Sequence, residues 1–350
     1  SKTTEIKSKS ILDIEKKYSV FNEEDEIYLG YKFSPDEKER LLLLFSKNLI
    51  EEKLTKKNPV FHKILNQIEE IDNIIRPILN KLDIDFSLHL SGGALRDLIL
   101  NQEDKIKDLD LLIEFHDKFN KEHISGRNSS EKNEREKQLL KEFLEEKEKD
   151  LREMGINVFH GQSREKILHE IIFQSINKKM KNTEIKHFFD QEKTEERKEK
   201  IEQKKEENKI KKELSDHDDM IYDGLFSVIK LKKNNSDDYP IDLLLNGNRY
   251  SYLNFFDFNI CKSLLTIKKP NNEMNNNIEN DLYLYDGFIK DVICKTLTLN
   301  ASIFSKNEYV DRCLKDHYLR LKNKYPDYKF EINTDRKSTR LNSSHSDRTR

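Results

Sequence analysis

Apolar residues along the chain follow two different spacings, which separate predicted strands from predicted helices. Between residues 85 and 90 every second residue is apolar, and the same alternation returns between 108 and 115. A period of two is typical of a strand with one buried face. Together with three further apolar runs, the pattern predicts strands at residues 85–90, 108–115, 155–161, 224–231 and 239–247.

Apolar stripes with a spacing of three and four residues predict helices around these strands. The longest stripe runs from Val60 to Leu79, and Pro77 is expected to kink or end that helix. An earlier helix over residues 34–55 starts with Ser-Pro-Asp-Glu, a capping box with proline at the first helical position. Further helices are predicted at residues 94–100, 131–154 and 167–176 and, as short segments, at 286–299 and 310–326.

These elements predict an α/β (α+β) fold in which a small mixed sheet is flanked by helices. The sheet-bearing domain is expected to comprise residues 81–116 and 155–260. The other predicted regions are an N-terminal helical region (1–80), a charged and largely helical insertion (117–223, overlapping the sheet domain at 155–161), a helical neck (261–334) and a tail (335–350). The tail is rich in Arg, Ser and Thr and resembles translated sequencing adapter rather than native protein, with a disordered basic tail as the alternative.

Charge is abundant but balanced in sign. Charged residues make up 37% of the 350 residues, and the net charge is −2. Bulk charge therefore does not indicate a nucleic-acid partner, and any such surface must be local. Much of the excess lies at residues 191–214, which have only three aliphatic residues. That stretch predicts a solvent-exposed helix or a disordered segment, with a substrate-recognition arm as the alternative.

Two features favour a cytoplasmic protein without a membrane partner. The sequence has no run of 18 apolar residues, and residues 1–17 lack the apolar centre of a signal peptide. The three cysteines, Cys261, Cys294 and Cys313, form no Cys-x-x-Cys pair. Their number and spacing predict a reduced compartment and no zinc site.

Residues with chemical potential are concentrated in segment 90–113, LSGGALRDLILNQEDKIKDLDLLI. Gly92 and Gly93 end the first predicted strand and open a short helix, where backbone amides can approach a phosphate. Asp108 and Asp110 share a strand face because they are two residues apart. Two carboxylates this close require a cation, and oxygen ligands favour Mg²⁺. A glycine pair or an Asp-x-Asp alone is common, but their joint occurrence predicts a site for magnesium and a triphosphate.

Asp242 is the third candidate carboxylate. It interrupts the apolar run 239–247, where a buried strand is predicted. An unpaired carboxylate is costly inside such a strand. We therefore expect Asp242 to join the metal site, with a water-facing position at a strand end as the alternative.

This arrangement resembles the head domain of the nucleotidyltransferase superfamily that includes DNA polymerase beta. Within the superfamily it is most similar to the tRNA CCA-adding enzymes and the bacterial poly(A) polymerases. Their signature, Gly-Gly-x-x-Arg-Asp followed by Asp-x-Asp, is matched by Gly92, Gly93, Arg96, Asp97, Asp108 and Asp110. The loop before the Asp-x-Asp pair is longer than in the family, and Asn101 stands where glycine is usual.

The resemblance implies a magnesium-dependent nucleotidyltransferase that moves NMP from an NTP, such as ATP, to an acceptor hydroxyl. Asp108, Asp110 and Asp242 are expected to be catalytic and to hold two Mg²⁺ ions. The expected nucleotide-binding residues are Ser91, Gly92, Gly93, Arg96, Asp97 and Asp257. The acceptor implied by the resemblance is the 3′ end of an RNA.

Two later segments depart from the family pattern. The segment around Asp257, Phe-Phe-Asp-Phe-Asn-Ile-Cys, loosely resembles the family's ribose-contacting Arg-Arg-Asp-Phe-Thr-Ile-Asn-Ala, with both arginines replaced. Glu308 and Arg312 keep the spacing of the base-selecting motif, but Tyr309 replaces its aspartate. Two alternatives therefore stay open: a toxin- or antitoxin-type nucleotidyltransferase modifying a protein or tRNA, and a non-catalytic nucleotide-binding module. The oligomeric state is not predicted.

Overall fold

The computed structural model describes residues 27–28, 31–32, 34–37, 39–40, 53–120, 124–189, 225–246, 249–254, 256–267, 282–284, 286–300 and 317–333. Three predicted features lie outside the described residues: the charged segment 191–214, the Glu308–Arg312 spacing and the tail at 335–350.

The first half of the described chain begins with a short antiparallel strand pair, Ile27–Tyr28 and Tyr31–Lys32, and continues with four longer helices and three longer strands. They are α1 (Pro59–Lys81), β1 (Phe86–Ser91), α2 (Gly92–Ile99), β2 (Leu109–Phe115), α3 (Ser129–Glu153), α4 (Arg164–Lys179) and β3 (Thr183–Phe189). The second half adds β4 (Leu225–Lys233), β5 (Ile241–Asn246), α5 (Arg249–Asn254), β6 (Ser263–Ile267), β7 (Leu282–Leu284), α6 (Asp286–Cys294), β8 (Thr296–Asn300), α7 (Leu319–Lys324) and β9 (Lys329–Asn333).

Seven strands form one mixed sheet in the order β3-β4-β5-β2-β1-β6-β7. The pairing of β5 with β2 is parallel, and the other five pairings are antiparallel. β8 and β9 form a separate parallel pair. The fold is therefore mixed α/β, and a single parallel step sits at the centre of the main sheet.

Helices cover one face of this sheet. Leu109, Leu111 and Ile113 of β2 are fully buried in the main core. Helix α1 adds a stripe of buried isoleucines to the same core, so it packs on the sheet rather than standing apart. Asn58 caps α1 by accepting hydrogen bonds from the backbone amides of Val60 (3.0 Å) and Phe61 (3.2 Å).

The opposite face is covered more sparingly. Leu112 of β2, Leu244 of β5 and Leu264 of β6 form a small cluster there with Leu253 of α5. Helix α5 is tied down at its first residue, Arg249, whose Nε donates to Glu114 Oε1 at 2.9 Å. This second face carries the candidate site, because the cluster leaves one end of it accessible.

Several predicted elements are confirmed. The strands predicted at 85–90, 108–115, 224–231 and 239–247 correspond to β1, β2, β4 and β5, with shifts of one or two residues at most ends. The capping box is also present: Glu37 N donates to Ser34 Oγ (3.2 Å), and Ser34 N donates to Glu37 Oε2 (3.0 Å). Helix α1 continues beyond Pro77, because the exposed proline is followed by the buried pair Ile78 and Leu79.

The strand predicted at 155–161 is wrong. Gly155 has a φ of +62°, and Ile156 N bonds back to Leu151 O, so the segment closes the C-terminus of α3. Asn157 then pairs with the side chain of Gln174 instead of a neighbouring strand. Its apolar alternation reflects packing against α3 and α4.

Two regions contain strands that the sequence did not predict. β3 lies inside the predicted charged insertion and joins the main sheet at its edge. Its pattern was hidden because most of its side chains are exposed. The predicted helical neck is also wrong in type, since its described part contains β6, β7, β8 and β9 beside α6 and α7. Among the described residues, no helix combines the length and the apolar character needed to cross a membrane.

A buried ion pair joins the loop after β2 to the start of α4. Arg164 Nη2 lies 2.5 Å from Asp117 Oδ2, and Arg164 Nε donates to Asp117 Oδ1 at 2.9 Å. Both side chains are nearly inaccessible to solvent. Removing Asp117 would leave the buried Arg164 without its two-point partner.

We therefore expect Asp117→Ala to lower the free energy of unfolding by about 3–5 kcal/mol. Urea denaturation checks this value. Glu148→Ala is the matched control, because its ion pair with Arg152 is exposed, and its expected effect is within about 0.5 kcal/mol. Equal effects of the two variants would contradict a structural role for the buried pair.

Candidate functional site

One row of residues crosses the central strands of the sheet. Lys230 of β4 is the register partner of Asp242 in β5, and Asp242 is the partner of Asp110 in β2. Asp110 is in turn the partner of Ser91 in β1. Register partners project from the same face of a sheet. The parallel step between β5 and β2 thus places two carboxylates side by side.

Asp108 adds a third carboxylate next to this row. It lies immediately before β2 and is exposed, whereas Asp110 and Asp242 are half-buried. Burial, reinforced by the charges of Asp108 and Asp242, raises the pKa of Asp110 to about 7. Lys230 and Arg96 act in the opposite direction. The three predicted metal ligands are therefore close enough to influence one another's charge.

The glycine pair fits tightly against this cluster. Gly92 has a φ of +67°, a backbone conformation that favours glycine. A β-carbon at Gly92 would overlap the Oδ2 atom of Asp110, whereas one at Gly93 would lie 3.3 Å from Arg96 Nη2. Gly92 is thus required both by its backbone and by its contact with Asp110. This close approach also brings the N-terminus of α2 to the carboxylates.

Lys230 is a site residue that the sequence analysis missed. Its Nζ lies 2.8 Å from Asp242 Oδ2. The hydrogen bond to Asp242, followed by the charges of all three aspartates against the cost of burial, raises the pKa of Lys230. The signal was a lysine within an apolar strand, but its pairing with Asp242 depends on a register that the sequence did not reveal.

Ser91 and Tyr252 form the floor of the site. Ser91 Oγ and Tyr252 OH are 2.9 Å apart, and Ser91 Oγ also donates to Asp110 O at 3.3 Å. Burial and then the charge of Asp110 raise the pKa of Tyr252 well above its usual value. Ser91, predicted to bind nucleotide, is fully buried and supports β2. Tyr252, on α5, was not predicted.

Arg96 and Asp97 are engaged with the C-terminal part of the chain. Arg96 Nε donates to Asp97 Oδ1 (2.8 Å), and Arg96 Nη1 contacts Cys261 Sγ at 3.3 Å. Asp97 also accepts hydrogen bonds from Tyr325 OH (2.7 Å) and Lys324 Nζ (2.5 Å). The side chains of Arg96 and Asp97 are buried. Both residues therefore hold α2 against α7. Their effect on the carboxylates is electrostatic, because the positive charge of Arg96 acts on Asp110.

Asp257 lies apart from the carboxylate row. Its Oδ2 pairs with His317 Nδ1 at 2.6 Å, and its Oδ1 accepts from Phe258 N at 2.9 Å. Burial works against a charge on His317, but Asp257 and Cys261 outweigh it and raise the pKa of His317 to about 10. Asp257 thus anchors a second small core around Phe258 rather than joining Asp108, Asp110 and Asp242.

The carboxylates suit a hard divalent cation in the type of their donor atoms. Burial, and then the charges of Asp108 and Asp242, raise the pKa of Asp110, and a bound cation would offset both effects. In the described part of the chain, however, no three His, Cys, Asp or Glu side chains are grouped as ligands of one ion. Lys230 bonds to Oδ2 of Asp242, so a metal held by all three aspartates would use the other oxygen of Asp242 or displace Lys230.

Comparisons with protein-family models, with curated proteins and with solved structures give no match to this chain.

The tight contact at Gly92 generates a first test. Gly92→Ala is expected to lower the free energy of unfolding by about 1–3 kcal/mol, because it adds backbone strain and displaces the Asp110 carboxylate. Gly93→Ala is the matched control, since Gly93 has no positive φ and its β-carbon meets only the tip of Arg96. Thermal or urea unfolding of both variants measures the difference, and equal stability would contradict the close approach of Gly92 to Asp110.

The raised pKa of Asp110 generates a pH test on metal-free protein. Folded Asp110 keeps its proton up to about pH 7, whereas the unfolded chain releases it near the ordinary value of 3.8. The folded state binds more protons between these values, so this group makes stability fall as pH rises from about 4 to about 7.

Asp110→Asn should remove that fall and stabilise the protein by roughly 1–2 kcal/mol at pH 8, a value reduced for the water that reaches this half-buried group. Urea unfolding in the presence of a chelator, from pH 4 to pH 8, measures the effect. Asp104→Asn, at an exposed turn, is the control for loss of an acidic residue. An unchanged pH slope in Asp110→Asn would contradict the assigned pKa.

Proposed function

We propose that this chain is a magnesium-dependent nucleotidyltransferase that moves NMP from an NTP to an acceptor hydroxyl, with an RNA 3′ end as the acceptor. The observation that carries the proposal is the register of β2 and β5, which sets Asp110 beside Asp242. Gly92 presses the N-terminus of α2 against the same carboxylates. The resemblance of segment 90–113 to the CCA-adding enzymes and bacterial poly(A) polymerases supports the same conclusion.

Asp108, Asp110 and Asp242 would hold magnesium, which supplies Lewis-acid stabilisation at the α-phosphate and acidifies the acceptor hydroxyl. In the transfer, the acceptor hydroxyl would lose its proton to solvent, its oxygen would form a bond to the α-phosphorus, the bond from that phosphorus to the bridging oxygen would break, and pyrophosphate would leave. The chain's own contribution is to position these groups and to balance their charge.

The start of α2 is the part of the chain placed to hold the triphosphate. Backbone amides at a helix N-terminus lack partners within the helix and favour anions. The first residue of α2, Gly92, carries no side chain that could shield these amides from a phosphate. Arg96 lies one turn further on and contributes positive charge to the field at Asp110, while its hydrogen bonds keep α2 in position.

Lys230 balances charge on the other side of the carboxylates. It holds Asp242 through a 2.8 Å ion pair, and its side chain is half exposed. If a metal displaced Lys230 from Asp242, the lysine would stay next to the site and could pair with phosphate oxygens. A lysine ammonium suits this exchange because its flexible stem carries a compact charge.

A second function is favoured by one observation. The Lys230–Asp242 ion pair satisfies a carboxylate that the metal needs, which is the arrangement expected of a nucleotide-binding module without transfer activity. The two functions differ in a single measurement, transfer of label from an NTP. A protein or tRNA acceptor of the toxin–antitoxin type is distinguished in the same assay by which acceptor becomes labelled.

The test is transfer of α-³²P-labelled NMP, with each NTP in turn, in the presence of magnesium and either total RNA or total protein. Asp110→Asn and Asp242→Asn are expected to lose at least about a thousandfold in transfer rate, because each removes a charge that the metal requires. Asp104→Asn is the matched control and should retain activity. If protein but not RNA becomes labelled, the acceptor is a protein and not an RNA 3′ end.

NTP binding without transfer by the unmodified chain would favour the non-catalytic module. Full activity in Asp110→Asn would eliminate the carboxylate mechanism altogether.

A further inference from the structure

Most of the exposed side chains described on the two-stranded ribbon β3–β4 lie on one face. On the core side, Ile229 and Leu231 of β4 are buried. The other side, called here the ribbon face, is the side on which Lys230 meets Asp242. The ribbon face consists of Glu184, Lys186 and Phe188 of β3 and Val228, Lys230 and Lys232 of β4. Val228 packs against the small cluster that includes Leu253 of α5, and the other five side chains are exposed.

The ribbon face is continuous with the carboxylate row. Lys186 is the register partner of Lys230, and Lys230 is the partner of Asp242. Lys186 therefore lies two strand spacings, about 10 Å, from the chain of Asp242. A ligand on the ribbon face reaches the carboxylates without crossing another element of the described structure.

The charges of the ribbon face favour an anion. Three lysines oppose one glutamate, which gives a net charge of +2. Glu184 pairs with Lys186 at 2.8 Å, and Lys230 pairs with Asp242. Lys186 and Lys230 nevertheless stand directly opposite each other, an arrangement of like charges that destabilises a strand pair. A phosphate between the two lysines would relieve that repulsion.

An aromatic side chain lies beside these lysines on the same face. Phe188 is 45% exposed and follows Lys186 by two residues along β3. Part of the Phe188 ring is therefore open to solvent beside Lys186. Lysines next to an accessible ring are the combination used to bind single-stranded nucleic acid, because phosphates meet the cations and bases stack on the ring.

We propose that the ribbon face binds the backbone of a single-stranded RNA whose 3′ end enters the carboxylate site. This inference rests on the proposed nucleotidyltransferase function and adds to it the path of the acceptor. A triphosphate alone would engage Lys230, whereas the backbone of an RNA would also reach Lys186 and Lys232 further along the ribbon. A double-stranded ligand would keep its bases paired and would not offer them to Phe188.

The binding test uses the full chain and a 5′-fluorescein-labelled single-stranded RNA in magnesium buffer, measured by fluorescence anisotropy over a series of salt concentrations. The test variant is Lys186→Gln/Lys232→Gln, which leaves the carboxylate row and Lys230 intact. Loss of two phosphate contacts should weaken binding at low salt by roughly tenfold or more and reduce the slope of log K against log salt by about 1.4.

The matched control is Lys141→Gln/Lys149→Gln, which removes the same charge from exposed positions on α3. Its RNA affinity is expected to stay within about twofold of the unmodified chain, since a distant charge is screened by salt. NTP affinity, measured separately, should be unchanged in both double variants. An unchanged salt slope in the ribbon variant, or an equal loss of NTP and RNA affinity, overturns the assignment of this surface.

Phe188 supplies an independent measurement. Phe188→Leu removes the aromatic ring and should weaken RNA binding by roughly fivefold or more, whereas Phe188→Tyr should restore it. Circular dichroism of both variants checks that the fold is retained. Equal affinities of the leucine and tyrosine variants would remove stacking from the proposal.

Extension of the same RNA separates this inference from the proposed function. If the unmodified chain extends RNA while the ribbon double variant binds RNA as tightly as the unmodified chain does, the surface is wrong and the function stands. If the unmodified chain labels only protein, the RNA acceptor and this surface both fail.

Discussion

The parallel pairing of β2 with β5 is the constraint on which the site depends. It sets Asp110 beside Asp242, and the position before β2 adds Asp108. Three carboxylates at one point repel one another, and the pKa of Asp110 near 7 expresses that repulsion together with burial. Lys230 partly neutralises the cluster from β4. Gly92 shapes the site through its missing side chain. A β-carbon at this position would overlap the carboxylate of Asp110, so only glycine lets the start of α2 lie next to it.

Local sequence patterns predicted the centre of the sheet well, since β1, β2 and β5 bury alternating or continuous apolar residues. The edge strand β3 was harder to predict. Most of the side chains of β3 are exposed, so its residues carry no apolar alternation, and only pairing with β4 makes them a strand. The segment 155–161 failed for a different reason: Ile156 and Val158 pack on the main core while Phe159 is exposed, and a strand pattern cannot distinguish such a loop from a strand of the sheet.

The site shows the same division between local and long-range information. Spacing alone placed Asp108 and Asp110 on one face, but the partners of Arg96 and Asp97 lie more than two hundred residues away at Lys324 and Tyr325. A signature arginine and aspartate can therefore serve to hold a helix in place rather than to contact a ligand. Asp257 illustrates this further, because its carboxylate is engaged by His317, which belongs to a separate part of the sequence.

Lys230 connects the chemistry of the carboxylates with the charge of the ribbon face. Lys230 pairs with Asp242, so its positive charge is partly compensated. Its repulsion of Lys186, directly opposite on β3, is reduced accordingly. If the proposed metal displaced Lys230 from Asp242, Lys230 would become available and the ribbon face would gain positive charge. Metal binding and attraction of the proposed anionic acceptor would then be coupled through one side chain, since each would favour the same released state of Lys230. The reciprocity of such coupling means that the acceptor would in turn strengthen metal binding.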